Sequence, residues 1–160
     1  MSIAFLGLGS NIQARQNIAS GIGALRERFR RVDLSPVYQT VPFGFEGDDF
    51  INLVARIETE LSPLELKNFL HQLEDQHARN RNAPKFSART LDIDILLYDD
   101  LYLLSPELEL PREELLEAAY VLKPLADLAP ELRHPVVRKT IAELWEEFPG
   151  KTAAMKQITL

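Results

Sequence analysis

The sequence predicts an α+β fold built on an antiparallel sheet. Three observations carry this prediction: short apolar runs bounded by turn residues, longer stretches with apolar residues at helical spacing, and the order in which these segments alternate along the 160 residues. The same pattern excludes a solenoid, because no unit of about 20 to 50 residues repeats.

The first half of the chain predicts a strand, a helix and two further strands. Residues 2–8 are apolar and lead into the sequence GLGSN at 7–11, which indicates a buried strand and a turn in which Asn11 caps the next helix. The apolar stripe of that helix consists of Ile18, Ile22, Leu25, Phe29 and Val32. Residues 34–41 and 50–58 predict two strands, joined by a turn-rich link with two aromatic residues.

The middle of the chain predicts one more helix and one more strand. The sequence SPLE at 62–65 is a capping box with proline at the first helical position, and the helix should run to about residue 78. Residues 91–98 (LDIDILLY) predict the next strand. The resulting order, βαββαβ, is the ferredoxin-like arrangement, with both helices on one face of the sheet.

The last third predicts a C-terminal extension of a hairpin and helices. We expect the hairpin around Asp99-Asp100 and helical turns over 113–128, interrupted at Pro124 because proline lacks the backbone N–H. A second capping box at 140–143 (TIAE) predicts a final helix.

Composition sets limits on the function. The proportions, 46% hydrophobic and 26% charged residues, predict a single domain over residues 1–160. The chain has no cysteine, which excludes disulfides and thiolate metal sites. A net charge of −6 opposes nucleic-acid binding, and no apolar run is long enough for a membrane span. We therefore expect a cytoplasmic protein, acting as a monomer on small molecules.

Asp92 and Asp94 are the first candidate site residues. They lie two apart in a predicted strand, so both carboxylates leave the same face. Two like charges side by side repel each other unless a cation neutralises them, and carboxylate oxygens favour Mg²⁺. The alternative is the solvated face of an amphipathic strand.

A run of cations precedes this pair in an otherwise acidic chain, namely Arg79, Arg81, Lys85 and Arg89. Such a run is often a solvated loop. Together with the Asp-x-Asp pair, however, it favours a site for a nucleoside triphosphate, because guanidinium groups bind phosphate oxygens bidentately.

These residues resemble the 6-hydroxymethyl-7,8-dihydropterin pyrophosphokinase family. The most specific match is KFSARTLDIDIL at 85–96, which is similar to the family signature around its metal aspartates. Further matches are GSN at 9–11, YQT at 38–40, FIN at 50–52 and YVLKPL at 120–125. The resemblance implies a ferredoxin-like fold with added elements and transfer of pyrophosphate from ATP to a pterin alcohol in folate biosynthesis.

The resemblance also implies roles for individual residues. Asp92 and Asp94 would hold two Mg²⁺ ions that bridge the ATP phosphates. The catalytic residues would be these two with Arg79 and Arg89. ATP would be bound by Arg79, Arg81, Lys85, Arg89 and Arg112. The pterin would be bound by Thr40, Phe43, Phe50, Asn52, Phe86 and Tyr120. Glu74 matches an acidic family position, where it would orient the metal site or a basic side chain or form an exposed salt bridge.

The chain departs from the family pattern at several positions. Arg112 replaces a histidine, and Ala118 replaces an arginine. In the loop before the aspartates, Phe86 replaces tryptophan and SA at 87–88 replaces Gly-Pro, while Val41 replaces a common proline. These departures leave two alternatives to the family reaction: a diverged paralogue acting on a related pterin, or a non-catalytic module that binds pterin or nucleotide.

Overall fold

A computed structural model describes residues 1–40, 47–77, 90–149 and 155–160. Its strands are β1 (Ser2–Ser10), β2 (Val32–Leu34), β3 (Val37–Thr40), β4 (Phe50–Thr59), β5 (Asp92–Tyr98), β6 (Leu103–Leu104), β7 (Glu109–Leu110) and β8 (Met155–Ile158). Its helices are α1 (Ala14–Arg28), α2 (Pro63–Gln76), α3 (Glu114–Glu117), α4 (Ala119–Leu128) and α5 (Ile141–Glu146).

The main sheet has the strand order β5-β1-β4-β3-β8, with β2 also paired to β4, and every pairing is antiparallel. Strands β1, β3, β4 and β5 occupy the positions that the split βαβ pattern requires. The predicted α+β, ferredoxin-like arrangement is therefore confirmed. In the described part of the chain, no helix is long and apolar enough to cross a membrane.

Helices cover the two faces of the sheet differently. On one face, the apolar sides of α1 and α2 pack on alternate residues of β1, β4 and β5. On the other, α3, α4 and α5 pack on Phe5, Val54 and Leu97. These are named the α1/α2 face and the α4/α5 face. Strand side chains alternate between the two cores because successive residues of a strand point to opposite faces.

Both predicted capping boxes are confirmed. Ser62 and Glu65 cap α2 reciprocally, and Thr140 and Glu143 do the same for α5. Helix α2 ends at Gln76, slightly earlier than expected.

The turn after β1 differs from the prediction. Asn11 does not cap α1; the cap position is Gln13, in a left-handed conformation without a side-chain hydrogen bond. The buried Asn11 instead donates from Nδ2 to the carbonyl of Asp48, at 3.1 Å. The amide of Asn11 therefore makes a long-range hydrogen bond and does not form the predicted cap of α1.

The strand predicted over 34–41 was wrong as one element. It divides into β2 and β3 around Ser35-Pro36, because Pro36 has no N–H to donate to a ladder. Ser35 preserves the pairing with β4, since its Oγ accepts from the N–H of Val54 at 2.8 Å. Val32, predicted as the end of the first helical stripe, begins β2.

The predicted hairpin around Asp99-Asp100 was also wrong. These residues form a turn without a hairpin. Asp99 in this turn contacts β1, because its Oδ1 accepts from the N–H of Ile3 at 2.8 Å. The hairpin lies further on, between β6 and β7, and Ser105 closes it through its backbone and Oγ contacts with Leu108.

Pro124 does not interrupt the predicted helical segment. It lies inside α4, and the break falls at Ala118, whose extended backbone (φ −121°, ψ 118°) separates α3 from α4. One missing N–H in α4 is outweighed by the burial of Leu122 and Leu125 against the sheet. Strand β8 was not predicted, because its four residues carry no clear alternation.

Candidate active site

Four residues form a row across the α4/α5 face. Asp92 of β5 is paired with Gly9 of β1, Gly9 with Asn52 of β4, and Asn52 with Tyr38 of β3. Directly opposed residues of antiparallel strands project on the same face. With neighbouring strands about 4.8 Å apart, Asp92 and Asn52 lie about 10 Å from one another across Gly9.

Gly9 provides the space in this row. A Cβ atom at position 9 would lie 2.8 Å from Asn52 Oδ1, closer than any real contact. The glycine is needed here for space, since its backbone is ordinary strand. It allows the Asn52 carboxamide to lie over β1.

Asn52 is held in place by Thr40. Its Nδ2 donates to Thr40 Oγ1 at 3.1 Å, and both side chains are buried. Phe50 begins β4 opposite Thr40, two residues before Asn52, and so lies on the same face. Three of the residues expected to bind the pterin are thus neighbours at one end of β3 and β4.

The two aspartates project on the same face, as the sequence predicts. This is the α4/α5 face, because Ile93 and Ile95 between and after them belong to the opposite core. The Asp94 side chain retains 30% exposure. Burial and the neighbouring Asp92 carboxylate raise the pKa of Asp94 well above its ordinary value, while Arg112 opposes the shift.

Arg112 is brought to this pair by an irregularity in β5. The register between β1 and β5 shifts by one residue at Leu96, and the Leu96 carbonyl accepts from the N–H of Arg112 at 2.9 Å. The guanidinium then lies with Nε 3.7 Å from Asp94 Oδ2. Among the described residues, this buried Nε has no hydrogen-bond partner.

Tyr120 lies in the first turn of α4, packed against the core of the α4/α5 face. Its hydroxyl donates to Glu114 Oε2 at 3.2 Å, and Glu114 Oε1 accepts from Arg112 Nη2 at 3.2 Å. Burial and the carboxylates of Glu114, Asp92 and Asp94 raise the pKa of Tyr120, so its hydroxyl stays protonated. Tyr120 thus contacts Glu114, and through Glu114 it is linked to Arg112.

A second tyrosine fixes α4 to the sheet. The Tyr38 hydroxyl donates to Asp127 Oδ2, and Asp127 Oδ1 accepts from Lys123 Nζ at 2.7 Å. Burial and Asp127 raise the pKa of Tyr38. This bond joins α4 to β3 close to Asn52. Helix α4, which contains Tyr120, is thereby attached to the strand that contains Thr40.

Glu74 is buried in α2, which excludes the exposed salt bridge among the expected roles. Its Oε2 accepts from the N–H of Ile93 at 2.7 Å. Ile93 lies between the two aspartates, so Glu74 holds the backbone that carries them. Within the described residues, no group of three His, Cys, Asp or Glu side chains is arranged to hold a metal ion.

Several expected site residues lie outside the described part of the chain: Phe43, Arg79, Arg81, Lys85, Phe86 and Arg89. The structure brings Asp92, Asp94 and Arg112 together at one side and Thr40, Phe50 and Asn52 together at the other. Tyr120 is linked to Arg112 through Glu114. Sequence reasoning missed Glu114, Tyr38 and Asp127, because their partners are distant in sequence or belong to another helix.

A cavity of about 450 Å³ lies away from this site. It includes Gln39 and Ile51, which alternate with the site residues and so face the α1/α2 side. Its lining consists of Arg15, Gln39, Gly47, Asp48, Asp49 and Ile51.

Two of the histidines, His77 and His134, make structural contacts. His134 is buried, and its Nδ1 accepts from the N–H groups of Val136 and Val137. His77 contacts the Leu73 carbonyl and Ser20 Oγ at 2.8 Å each. Neither lies at the aspartate pair.

Comparison with known proteins agrees with this geometry. Residues 5–130 match the family model described as 7,8-dihydro-6-hydroxymethylpterin-pyrophosphokinase (HPPK). The chain belongs to the HPPK family. The expected family resemblance is thereby confirmed, and the family is one of transferase enzymes.

Two bacterial relatives match this chain over most of their length. The 2-amino-4-hydroxy-6-hydroxymethyldihydropteridine pyrophosphokinase of Pseudomonas aeruginosa is 38% identical over 135 residues, which is 82% of this chain and 83% of the relative. That of Aquifex aeolicus is 34% identical over 149 residues, 92% of each chain.

Other relatives are much longer proteins. The folic acid synthesis protein fol1 of Schizosaccharomyces pombe is 34% identical over 93% of this chain, but the chain spans only 21% of that relative. A Plasmodium falciparum HPPK-DHPS structure with pterin and p-hydroxybenzoate has a TM-score of 0.80 at 15% identity, covering 99% of this chain and 47% of that one. The structural likeness supports the HPPK fold.

Proposed function

We propose that the chain transfers pyrophosphate from ATP to the hydroxymethyl group of 6-hydroxymethyl-7,8-dihydropterin, yielding the pterin pyrophosphate and AMP. One observation carries the proposal. The aspartate pair with Arg112 and the buried Asn52–Thr40 pair share one face, separated only by the side-chain-free position of Gly9. A charged phosphate site thus adjoins a neutral, hydrogen-bonding site.

The aspartate pair fits a divalent cation. Two carboxylates project together, the pKa of Asp94 is raised by burial and Asp92, and oxygen ligands suit Mg²⁺. Asp92 and Asp94 would hold the two expected ions, whose chemistry when bound is to neutralise phosphate charge and orient the β-phosphorus. ATP phosphates would complete the ligand set that two carboxylates leave incomplete.

Arg112 is suited to bind a phosphate oxygen. Its Nε is buried without a hydrogen-bond partner in the described structure, and such a donor is costly unless an acceptor reaches it. Burial alone would lower the pKa of Arg112, but Asp94 and Glu114 outweigh burial and raise it. The guanidinium therefore stays charged. Arg79, Arg81, Lys85 and Arg89 remain predicted to complete this side.

Asn52 is suited to the edge of the pterin. A carboxamide presents a donor and an acceptor side by side, which complements the amide-like edge of the pterin ring. Its orientation is set by the bond to Thr40. Phe50 and Tyr120 project from the sheet and from α4, and their rings suit the flat faces of the heterocycle. Phe43 and Phe86 remain predicted contacts.

In the proposed reaction, the pterin hydroxymethyl oxygen attacks the β-phosphorus of ATP. The bond from the β-phosphorus to the bridging α,β-oxygen breaks, AMP leaves with that oxygen, and the hydroxyl proton is released. Positioning and charge neutralisation supply most of the catalysis in such transfers. The contribution of this chain is to hold the two substrates in line across Gly9.

The direct test is AMP release by the purified protein with ATP, Mg²⁺ and 6-hydroxymethyl-7,8-dihydropterin, with the product mass measured. We expect AMP in equal amount to a pterin product that has gained a pyrophosphate. Pterin binding without AMP would instead support the non-catalytic module. Turnover only with another pterin would support the diverged paralogue. Two further expectations stay predictions: that residues 1–160 form a single domain, and that the protein acts as a monomer.

A further inference from the structure

One carboxylate joins the two halves of the site. Glu114 Oε1 accepts from Arg112 Nη2 and Glu114 Oε2 from the Tyr120 hydroxyl, each at 3.2 Å. Arg112 lies beside Asp94 and is the proposed phosphate contact, and Tyr120 is a proposed contact of the pterin ring. Glu114 therefore binds one proposed contact residue of each substrate through separate oxygens.

This arrangement depends on the break between α3 and α4. Glu114 and Tyr120 are six residues apart, and on a continuous helix that separation would place their side chains about 120° apart around the axis. The extended backbone of Ala118 ends α3 and reorients the chain before α4. The break lets the two side chains meet.

Glu114 is also the group that fixes the Arg112 guanidinium. Arg112 Nε is 3.7 Å from Asp94 Oδ2, beyond hydrogen-bond distance, whereas the bond to Glu114 is formed. An arginine side chain has several rotatable bonds, so a single charge nearby attracts it without setting its orientation. Both Glu114 and Asp94 raise the pKa of Arg112 against the effect of burial.

We propose that Glu114 is a positioning residue that assembles the nucleotide and pterin sites together, holding the Arg112 guanidinium beside Asp94 with one oxygen and the Tyr120 ring with the other. The proposal rests on the proposed function and deepens it. Glu114 touches neither substrate; it acts through Arg112 and Tyr120.

The test compares Glu114→Gln with Glu113→Gln. Both variants remove one negative charge from adjacent residues, but Glu113 is exposed and its side chain does not cap α3. Two affinities are measured by calorimetry: that of a non-hydrolysable ATP analogue with Mg²⁺, and that of 6-hydroxymethylpterin. We expect Glu114→Gln to weaken both, each by about tenfold, as the loss of a charge-assisted hydrogen bond would. Glu113→Gln should resemble the wild type.

Two single-arm variants, Arg112→Lys and Tyr120→Phe, each alter one hydrogen-bond partner of Glu114. They distinguish a positioning role from a general loss of structure. Arg112→Lys should weaken the nucleotide analogue alone, and Tyr120→Phe the pterin alone. In the Tyr120→Phe background, Glu114→Gln should cause no further loss of pterin affinity, because residues in one network act non-additively. Glu114→Asp, which keeps both oxygens, should recover part of both affinities.

Equal affinities for Glu114→Gln and Glu113→Gln would overturn the proposal, as would additive losses in the double variant. If Glu114→Gln does not fold, Glu114→Asp and the two single-arm variants decide the question through the same titrations. AMP release by the wild type is measured separately. A wild type that binds both probes but releases no AMP contradicts the proposed function alone, while the titrations still test Glu114.

Discussion

The two faces of the sheet are built from the same strands but carry different residues. On the α1/α2 face, most strand residues are apolar, as in Leu6, Leu8, Leu53 and Ile93. On the α4/α5 face, the apolar core of Phe5, Val54 and Leu97 lies under the helices. The remainder of that face carries Gly7, Gly9, Asn52, Asp92 and Asp94.

This difference shows where polar site residues occupy positions that apolar residues would otherwise fill in the core. A buried polar side chain costs free energy unless it is hydrogen-bonded. The polar residues of the candidate site lie at one end of one face, and two of them have a fixed neighbour, Thr40 for Asn52 and Arg112 for Asp94. We expect substitutions on this half to alter activity, and substitutions on the α1/α2 face to alter stability.

The largest expected effect is that of Asp94→Ala. Loss of one of two carboxylates should lower turnover by on the order of 10³-fold, because several kcal/mol of charge stabilisation depend on the bound cation. The fold should persist, since Asp94 is partly exposed and lies outside both apolar cores.

The measurement is AMP release together with the thermal midpoint. Asp100→Ala, an exposed carboxylate in the turn after β5, is the control and should retain full activity. A fully active Asp94→Ala variant would contradict the metal assignment.

Leu70→Ala sharpens the comparison from the other face. Leu70 is 1% exposed in the core between α2 and the sheet, so the cavity should cost about 2–5 kcal/mol of unfolding free energy. Leu64→Ala in the same helix is the control, because Leu64 is 49% exposed.

Chemical denaturation measures the loss, and AMP release per folded molecule should change little. If Leu70→Ala lowered the activity of folded molecules as strongly as it lowered their stability, the two faces would not be separable in function.

Gly9→Ala has the smallest expected effect. The added methyl would displace the Asn52 amide, and we expect about tenfold weaker pterin binding, since such overpacking costs about 1–3 kcal/mol. Affinity for the ATP analogue should be unchanged.

Gly23→Ala is the matched control. A Cβ at position 23 meets nothing within 4 Å, and alanine is the better helix former, so this variant should bind pterin normally and be slightly more stable. Equal pterin affinity in the two variants would argue against Gly9 as the spacer beneath Asn52.

Much of the fold could be predicted from local patterns. The capping boxes at Ser62 and Thr140 mark helix starts by residues within one turn, and the Asp92–Asp94 spacing fixes their common face. Where the local predictions were wrong, contacts with residues distant in sequence outweighed the local pattern. The Asn11 side chain donates to the carbonyl of Asp48 and does not cap α1. Pro124 is tolerated inside α4 because that helix packs on the sheet.

The candidate site could be predicted only in part. Asp92, Asp94, Asn52 and Tyr120 are recognisable as motif residues, but nothing near Glu114 in sequence distinguishes it from its acidic neighbours. Its contact with Tyr120 follows from the break at Ala118, and that of Arg112 with Asp94 from the register shift at Leu96.

The sequence by itself determined the βαββαβ order of the core, the starts of α2 and α5 and the residue types available for phosphate and pterin chemistry, because each depends mainly on neighbours within a few positions. The tertiary structure alone decided which of these residues meet. Strand pairing aligned Asp92, Gly9, Asn52 and Tyr38 from four strands into one row. Such a row depends on register and face, which long-range pairing sets and which no short stretch of sequence specifies.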